Sequence, residues 1–338
     1  MTALFLLVFG VEIVGAEEEQ KLFDTFTLYW ENDAFTGTDR GYSSGLKLTW
    51  STPYETDFQE PNLPQWSYPL INSLPFIKDK ATNRAVSLSV GHNIYTPENT
   101  SRRDLIVEDR PYAGYLYFAT GFHSRTMNRK TSWEFQFGVV GPLALGEEVQ
   151  NITHQLLSNN KAEGWDNQLK NEVAIEAICE SQWRTWQKDC GSGYNFDLIP
   201  HLGFRVGNVN VYGNAGVEVR YGWKLPDDFG SCPIRAGCAT NSAFRDPFPR
   251  DNGFGIVGWH FFAALDGRAV AHDIFLDGNT FKDSHSVDRR VWVADFMAGY
   301  VLDLNQLRLT YSYVLRTKEF DAERDYNIFG SLSASWRF

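Results

Sequence analysis

The stretch VNVYGNAGVEVRY, at residues 209–221, alternates apolar and polar side chains with a period of two. Val217 and Val219 fall on one face, and Glu218 and Arg220 fall on the other. Successive side chains of a β-strand point to opposite sides, so this pattern predicts a strand with one apolar and one charged face. Long strands with two such faces are typical of a transmembrane β-barrel, in which one face meets lipid and the other lines the lumen.

The same alternation recurs in about twelve segments of the chain, of which residues 133–140 and 328–338 are further examples. A closed barrel of such strands satisfies every backbone hydrogen-bonding group without water. A soluble β-sandwich would also alternate, but it rarely needs so many strands of this length. The chain ends in an aromatic tripeptide, Trp336-Arg337-Phe338, which resembles the signal read by the outer-membrane assembly machinery. We therefore expect an all-β fold, a transmembrane antiparallel β-barrel of about twelve strands in the outer membrane of a Gram-negative bacterium.

Composition limits the possible functions. The 338 residues carry a net charge of −11, which argues against nucleic-acid binding because that function needs a clustered basic face. Beyond the N-terminus, no apolar run reaches the roughly 18 to 20 residues of a spanning helix, which excludes a helical membrane protein. Residues 1–16 predict a secretory signal peptide, with an apolar core and a small residue, Ala16, at the cleavage site. Residues 17–338 are then expected to form a single barrel domain.

The four cysteines agree with export to an oxidising compartment. Structural disulfides are expected; four cysteines allow three pairings, of which the local one, Cys179 with Cys190 and Cys232 with Cys238, is the easiest to close. Zinc binding is the alternative, but neither spacing is CxxC.

One segment breaks the strand pattern. Within residues 142–169 the apolar side chains recur at intervals of three and four, the period of an amphipathic helix: Leu145, Val149, Ile152 and Leu156. Gln150 and His154 lie one turn apart on a single face of this short amphipathic helix. If both chain termini lie in the periplasm, strand parity places the helix on the extracellular side. We expect catalytic residues on this helix, because it is a lone helix among strands and carries a histidine.

A second group of polar residues falls on the same side. The first strand ends in Asn32 and Asp33, and the second begins near Ser43, its neighbour across one hairpin. Side-chain oxygens of Asn, Asp and Ser are hard ligands that suit calcium. The alternative interpretation is ordinary turn chemistry, because these residue types dominate hairpin loops.

His154 and a pair of arginines complete the candidate site. A histidine with a pKa near neutrality is a common general base, and beside a bound cation it could activate water while the metal stabilises an oxyanion. An isolated histidine is more often structural, and we interpret the other six in that way. Arg102 and Arg103, in another loop of the extracellular side, could clamp phosphate groups. The alternative for this pair is a solvated loop.

The chain resembles the lipid A 3′-O-deacylase family of outer-membrane β-barrel enzymes over essentially its whole mature length. The resemblance rests on a series of ordered motifs: Asn32-Asp33, Asp39-Arg40, Tyr42-Ser43-Ser44-Gly45, Asn93-Ile94-Tyr95-Thr96-Pro97, Asp109-Arg110-Pro111-Tyr112-Ala113-Gly114, Val139-Val140-Gly141-Pro142, Glu148-Val149-Gln150-Asn151, His154, Gly164-Trp165-Asp166-Asn167-Gln168-Leu169 and Thr317-Lys318-Glu319-Phe320.

This resemblance implies a barrel whose active site lies between the wall and a helix near the outer surface. It also implies a calcium-dependent esterase that removes the 3′-linked acyloxyacyl chain from lipid A of lipopolysaccharide, among the lipids of the outer membrane. His154 would be the general base, Asn32 and Asp33 would belong to the calcium and catalytic cluster, and Ser43 and Gln150 would be site residues. Arg102 and Arg103 would bind the glucosamine phosphates.

The sequence departs from the family pattern at one position. Asn160, six residues after His154, stands where the family has an acidic residue in the metal site. Asparagine keeps a carbonyl ligand but loses a charge, which predicts weaker calcium binding. A non-catalytic barrel, either a pore or a lipopolysaccharide-binding scaffold, therefore stays open. A related outer-membrane phospholipase is a further alternative, because calcium and a histidine base would serve either ester.

Overall fold

The computed structural model describes residues 22–33, 41–54, 69, 72–75, 83–157, 161–231 and 255–338. These residues form thirteen strands: β1 (Thr25–Asn32), β2 (Gly41–Ser51), β3 (Asn83–Thr96), β4 (Ala113–Arg125), β5 (Arg129–Val140), β6 (Glu172–Trp183), β7 (Trp186–Gly191), β8 (Tyr194–Gly207), β9 (Asn210–Trp223), β10 (Ile256–Asp273), β11 (Trp292–Leu304), β12 (Leu307–Arg316) and β13 (Asn327–Arg337). The described helices are α1 (Gly146–Leu157) and the one-turn α2 (Ile274–Asp277).

The strands close into a ring of antiparallel neighbours. The order follows the chain, with β1 paired to β13 and β6 paired to β8. β6 and β7 pair with the same edge of β8, one after the other. Together they occupy the place of a single strand in the barrel wall. The wall is therefore a closed barrel of twelve strands, which confirms the predicted fold. The predicted helix is confirmed as α1, which ends at Leu157.

The polarity of the wall is the reverse of that in a soluble protein. Glu218 and Arg220 of β9 are buried in the lumen, whereas Tyr221 beside them is 47% exposed on the outside. Inside the lumen, Lys47 Nζ lies 2.9 Å from a carboxylate oxygen of Glu134, and both side chains are buried. The outward side chains form a belt of exposed apolar residues: Leu46, Val90, Phe118, Phe137, Val173, Ile175, Leu202, Phe204, Val206, Phe261, Leu265, Phe296, Tyr300, Leu309 and Leu332. We call this surface the lipid-facing belt, because an apolar outside around a charged interior is what a bilayer requires.

One end of the barrel, which carries α1, is here called the outer end. There α2 places Ile274 and Phe275 in the lumen, where they join a buried apolar cluster of the wall. The rings of Phe275 and Tyr95 stack with their centroids 3.8 Å apart. These contacts hold α2 inside the outer end of the lumen.

The predicted disulfide between Cys179 and Cys190 is wrong. Cys179 lies opposite Phe204 on β8, whereas Cys190 lies beside Tyr194 and Asn195 at the other end of the same strand. Nine residues of a strand span about 30 Å, and bridged cysteines have Cα atoms about 4.4 to 6.8 Å apart. Both thiols are free. Cys232 and Cys238 lie outside the described residues.

The predicted signal peptide, residues 1–16, also lies outside the described residues, and the division of the chain at residue 17 stays a prediction. No helix in the described part of the chain is long and apolar enough to cross a membrane.

Candidate active site on the outer face of the barrel wall

Helix α1 lies against the outside of the barrel and not in the lumen. Val90 of β3 belongs to the lipid-facing belt, so His92 and Ile94, two and four residues later, share its outward face. His92 Nε2 donates a hydrogen bond to the carbonyl oxygen of Ala144, just before α1, over 2.7 Å. Ile94 is only 1% exposed, because the segment that follows α1 covers it with Trp165. The helix and its two flanking segments therefore form a cover on the outer face of β3 and β4.

Two glycines let this cover approach the wall closely. A Cβ atom on Gly114 of β4 would lie 3.0 Å from the Cα atom of Gly146, the first residue of α1. A Cβ atom on Gly146 would lie 2.7 Å from the ring of Trp165. The start of the helix therefore sits at backbone contact distance from the wall.

A row of directly opposed residues connects this contact to β1. Asn32 pairs with Ser44, Ser44 pairs with Ile94, and Ile94 pairs with Gly114. Directly opposed residues point to the same side of a sheet, so Asn32 shares the outward face. Adjacent strands are about 4.8 Å apart, so Asn32 lies roughly 14 Å around the wall from Gly114.

The start of α1 is positioned by contacts with two strands of the wall. Gly146 contacts β4, and Gln150, one turn later, is bonded to Trp165, which packs on Ile94 of β3. The first turns of α1 therefore lie over β4 and β3. The backbone of His154 lies about 12 Å along the axis from Gly146. The side chain of His154 is outside the described part of the structure.

The end of β1 supplies two buried polar residues. Asn32 is 4% exposed and Asp33 is 3% exposed, although both sit at a strand end. Across from them, Ser43 is the extra residue of a β-bulge, since Tyr42 pairs with Tyr95 and Ser44 pairs with Ile94. Bulges change the direction in which a strand presents its side chains. The position of the Ser43 side chain lies outside what the structure describes.

Gln150 is oriented by a residue to which the sequence assigned no role. Its side chain is 3% exposed, and its Oε1 accepts a hydrogen bond from Trp165 Nε1 over 2.8 Å. Its Nε2 is buried and has no partner among the described residues. Buried donors of this kind are usually satisfied by a water or a ligand. Trp165 belongs to one of the motifs that carried the family resemblance, and that motif was the only available signal.

The arginine loop lies beside the same segment. Asn167 Nδ2 donates a hydrogen bond to the carbonyl oxygen of Arg103 over 2.8 Å. The backbone N–H of Glu163 donates a second one to the carbonyl oxygen of Thr100 over 2.9 Å. The loop of residues 97–112 is thus attached to the chain that follows α1. The side chains of Arg102 and Arg103 are exposed. The structure therefore places this pair at the edge of the candidate site and leaves both side chains accessible.

The far end of this loop is held by a buried ion pair that sequence reasoning did not predict. Arg110 is 2% exposed, and its Nη2 lies 2.7 Å from Oε2 of Glu319 in the β12–β13 connection. Burial alone would raise the pKa of Glu319, but the charges of Arg110 and Arg316 outweigh it and lower the pKa to about 2. The loop is therefore clamped to the barrel by a carboxylate that stays ionised.

The other histidines all have hydrogen-bond partners, in agreement with a structural role. Besides His92, these are His123, His201, His260, His272 and His285.

The candidate calcium ligands are only partly described. No group of three or more His, Cys, Asp or Glu residues that could hold a metal occurs among the described residues. The amide of Asn32 and the carboxylate of Asp33 are buried hard oxygen donors, which fits the preference of calcium. Asn160 lies outside the described residues. The neighbouring Lys161 pairs with Glu147 at 3.8 Å, and both side chains are exposed.

Comparisons with known proteins bear on the family and the fold. The model of the family described as outer membrane protein LpxR matches residues 2–338. The solved structure of LpxR from Salmonella typhimurium is similar with a TM-score of 0.71 and 20% identity, over 93% of this chain and 100% of that one. The β-domain of the Bordetella autotransporter BrkA is similar with a TM-score of 0.45 and 7% identity, over 94% of this chain and 99% of that one. The search of curated proteins gave no match.

Proposed function

Because the chain belongs to the LpxR family of outer membrane proteins, we propose that it is a lipid A 3′-O-deacylase. The reaction is hydrolysis of the ester that links the acyloxyacyl chain to the 3′ position of lipid A. The observation that carries the proposal is the position of α1. The helix covers the outer face of the wall beside the lipid-facing belt, and Gln150 Nε2 on its wall side is buried and has no partner among the described residues. A lipid of the outer leaflet can reach that position without leaving the membrane.

In this proposal His154 is the general base. It removes a proton from a water molecule, and the water oxygen attacks the ester carbonyl carbon. The tetrahedral intermediate expels the sugar oxygen, which takes the proton from His154 and leaves as the 3′-hydroxyl. Gln150 Nε2 donates a hydrogen bond to the developing oxyanion, because its other end is already bonded to Trp165. Ser43 would contribute its hydroxyl to the site.

Calcium is part of the proposal. Asn32, Asp33 and Asn160 would hold the ion, and when bound it would supply positive charge near the oxyanion. The missing charge at Asn160 lowers the expected affinity. Arg102 and Arg103 are exposed at the edge of the site, where they would bind the phosphates of the glucosamine backbone.

The test is incubation of the purified, folded barrel with lipid A vesicles and calcium, followed by mass spectrometry. We expect lipid A to lose the mass of one acyloxyacyl chain. The variant His154→Ala should leave lipid A intact, whereas Gln155→Ala, at an exposed neighbour on the same helix, should retain activity.

The same assay separates the alternatives. Release of fatty acid from glycerophospholipid vesicles but not from lipid A would replace the proposal with a phospholipase. Intact lipids of both kinds, with the protein folded and saturated with calcium, would favour a non-catalytic scaffold.

A further inference from the structure

Helix α1 turns its apolar side chains outward. Leu143 and Leu145, just before the helix, are 64% and 51% exposed, and Val149 and Ile152 within it are 37% and 58% exposed. The side that faces the wall carries Gly146 and the polar Gln150. An amphipathic helix of a soluble protein has the opposite arrangement, with the apolar stripe against the core. We call the four exposed apolar residues the outer stripe.

The outer stripe has the same reversed polarity as the barrel wall, and it continues the lipid-facing belt. Beyond the half-buried Leu116 and Val139, outward residues of β4, β5 and β6 belong to that belt and are 48%, 62%, 58% and 59% exposed: Phe118, Phe137, Val173 and Ile175. Leu143 N donates a hydrogen bond to Oδ1 of Asn171 over 2.7 Å, and Asn171 is two residues, about 7 Å, from Val173. The start of the outer stripe and the lipid-facing belt therefore lie close together, on either side of Asn171.

The remaining exposed side of α1 is polar. Glu148 and Gln155 are seven residues apart and fall on one side of the helix, adjacent to the outer stripe. At 3.6 residues per turn, α1 thus divides into three sides: Gln150 against the wall, the outer stripe, and Glu148 with Gln155. Three such sides suit a helix that lies parallel to the membrane surface, with one side against the barrel wall, one in hydrocarbon and one in water.

Hydrocarbon chains are the occupant that this surface fits. A contiguous exposed apolar patch marks either a protein partner or a membrane. The outer stripe adjoins the lipid-facing belt, the surface that a membrane barrel presents to lipid, and Glu148 and Gln155 lie on a different side of α1. We propose that the outer stripe is inserted among the acyl chains of the outer leaflet, so that α1 lies at the level where those chains meet the headgroups. This inference stands on the outer-membrane location and does not depend on the esterase activity.

The test is a depth measurement by spin labelling in a variant in which all four cysteines are replaced by serine. Single cysteines carrying a nitroxide are placed at 149 and 152 of the outer stripe, at 148 and 155 of the polar side, and at 137 of the belt as a reference. The protein is placed in vesicles of lipopolysaccharide and phospholipid. Accessibility to oxygen, which concentrates in hydrocarbon, is compared with accessibility to a water-soluble nickel complex.

Labels at 149 and 152 should show high oxygen and low nickel accessibility, close to the reference at 137, and labels at 148 and 155 should show the reverse. Nickel accessibility at 149 and 152 equal to that at 148 would overturn the inference. Each labelled variant is first checked for the gel mobility of a folded barrel before heating. The result is independent of whether lipid A is cleaved, because it would hold for an inactive barrel as well.

Discussion

The indole Nε1 of Trp165 donates a hydrogen bond to Oε1 of Gln150 over 2.8 Å, beneath the start of α1. A side-chain amide has an acceptor at one end and a donor at the other, so this bond decides which end faces the candidate site. The free end is Nε2, a buried donor without a partner among the described residues. Trp165 therefore determines the orientation of the Gln150 side-chain amide.

Replacing the indole donor should disturb catalysis more than folding. In Trp165→Phe the amide loses its anchor and no longer holds Nε2 toward the oxyanion, so we expect kcat to fall roughly 10-fold with little change in KM. Gln150→Glu keeps an acceptor for Trp165 but removes the donor, and it should lower kcat at least as much. The double variant should be no worse than Gln150→Glu. Additive losses would contradict a role through Gln150.

The close approach of α1 to the wall can be tested at Gly114. A methyl group there would meet the backbone of Gly146 at 3.0 Å, so Gly114→Ala should push the helix outward. We expect deacylation to fall roughly 10-fold, since displacements of about 1 Å at a site can cost up to about 100-fold in rate. Gly213→Ala is the matched control, because the atom closest to its Cβ would be 4.0 Å away. Equal activity of the two variants would show that the helix position does not matter.

Calcium affinity should respond to the charge at position 160. Asn160→Asp adds a carboxylate ligand, and we expect the calcium concentration for half-maximal activity to fall roughly 10-fold. Asn159→Asp adds the same charge one residue earlier and should change this concentration much less. A calcium titration of lipid A hydrolysis measures both. An equal shift in the two variants would indicate a general electrostatic effect and not a ligand.

The Arg110–Glu319 ion pair should make stability depend on pH. The pKa of Glu319 is about 2 in the folded protein, below the value of about 4.3 for an unperturbed side chain. A lowered pKa stabilises the fold above the unfolded pKa, so the contribution is complete above about pH 5 and is lost as the pH falls toward 2. Glu319→Gln leaves Arg110 buried without its closest carboxylate, and we expect a loss of about 3 kcal/mol near pH 7.

Unfolding by guanidinium in vesicles, repeated between pH 7 and pH 3, measures this contribution. The difference between the wild-type protein and Glu319→Gln should shrink as the pH falls. Asp321→Asn is the control, because the ion pair of Asp321 with Arg290 is exposed and should contribute at most about 1 kcal/mol. A difference that is constant over this range would mean that the charge of Glu319 is not responsible.

The arginine pair should act on substrate binding. Removing the charges of Arg102 and Arg103 together should raise KM for bisphosphorylated lipid A roughly 10-fold and leave kcat nearly unchanged. Dephosphorylated lipid A should be insensitive to the change. Arg324→Ala, at another exposed loop position, should behave as the wild-type protein does. A KM effect of the same size on both substrates would contradict phosphate recognition.

The sequence predicts the barrel well because lipid imposes a strict rule on each strand. In β9 the alternation of Glu218 and Arg220 with apolar neighbours is sufficient to identify which face lines the lumen. The same pattern located α1, since only that segment changes period. Pairing of cysteines was not predictable, because the distance between Cys179 and Cys190 depends on the register of both with β8.

The candidate site was predicted only in part, because its contacts join residues that are distant in sequence. The bond from Trp165 to Gln150 and the ion pair of Arg110 with Glu319 cannot be read from periodicity. They depend on how a helix outside the wall and two loops pack together. Asn32 could be assigned to the same outward face as Gly114 only by the register of four strands.

The location of the candidate site on the outside of the wall determines how a substrate would meet it. Encounter would occur by diffusion within the plane of one leaflet, and the relevant quantity is then the mole fraction of substrate in that leaflet. Velocity should fall when lipid A is diluted with inert lipid at constant bulk concentration, and it should not change when more vesicles of the same composition are added at saturation. An enzyme of this kind responds to the composition of its own membrane.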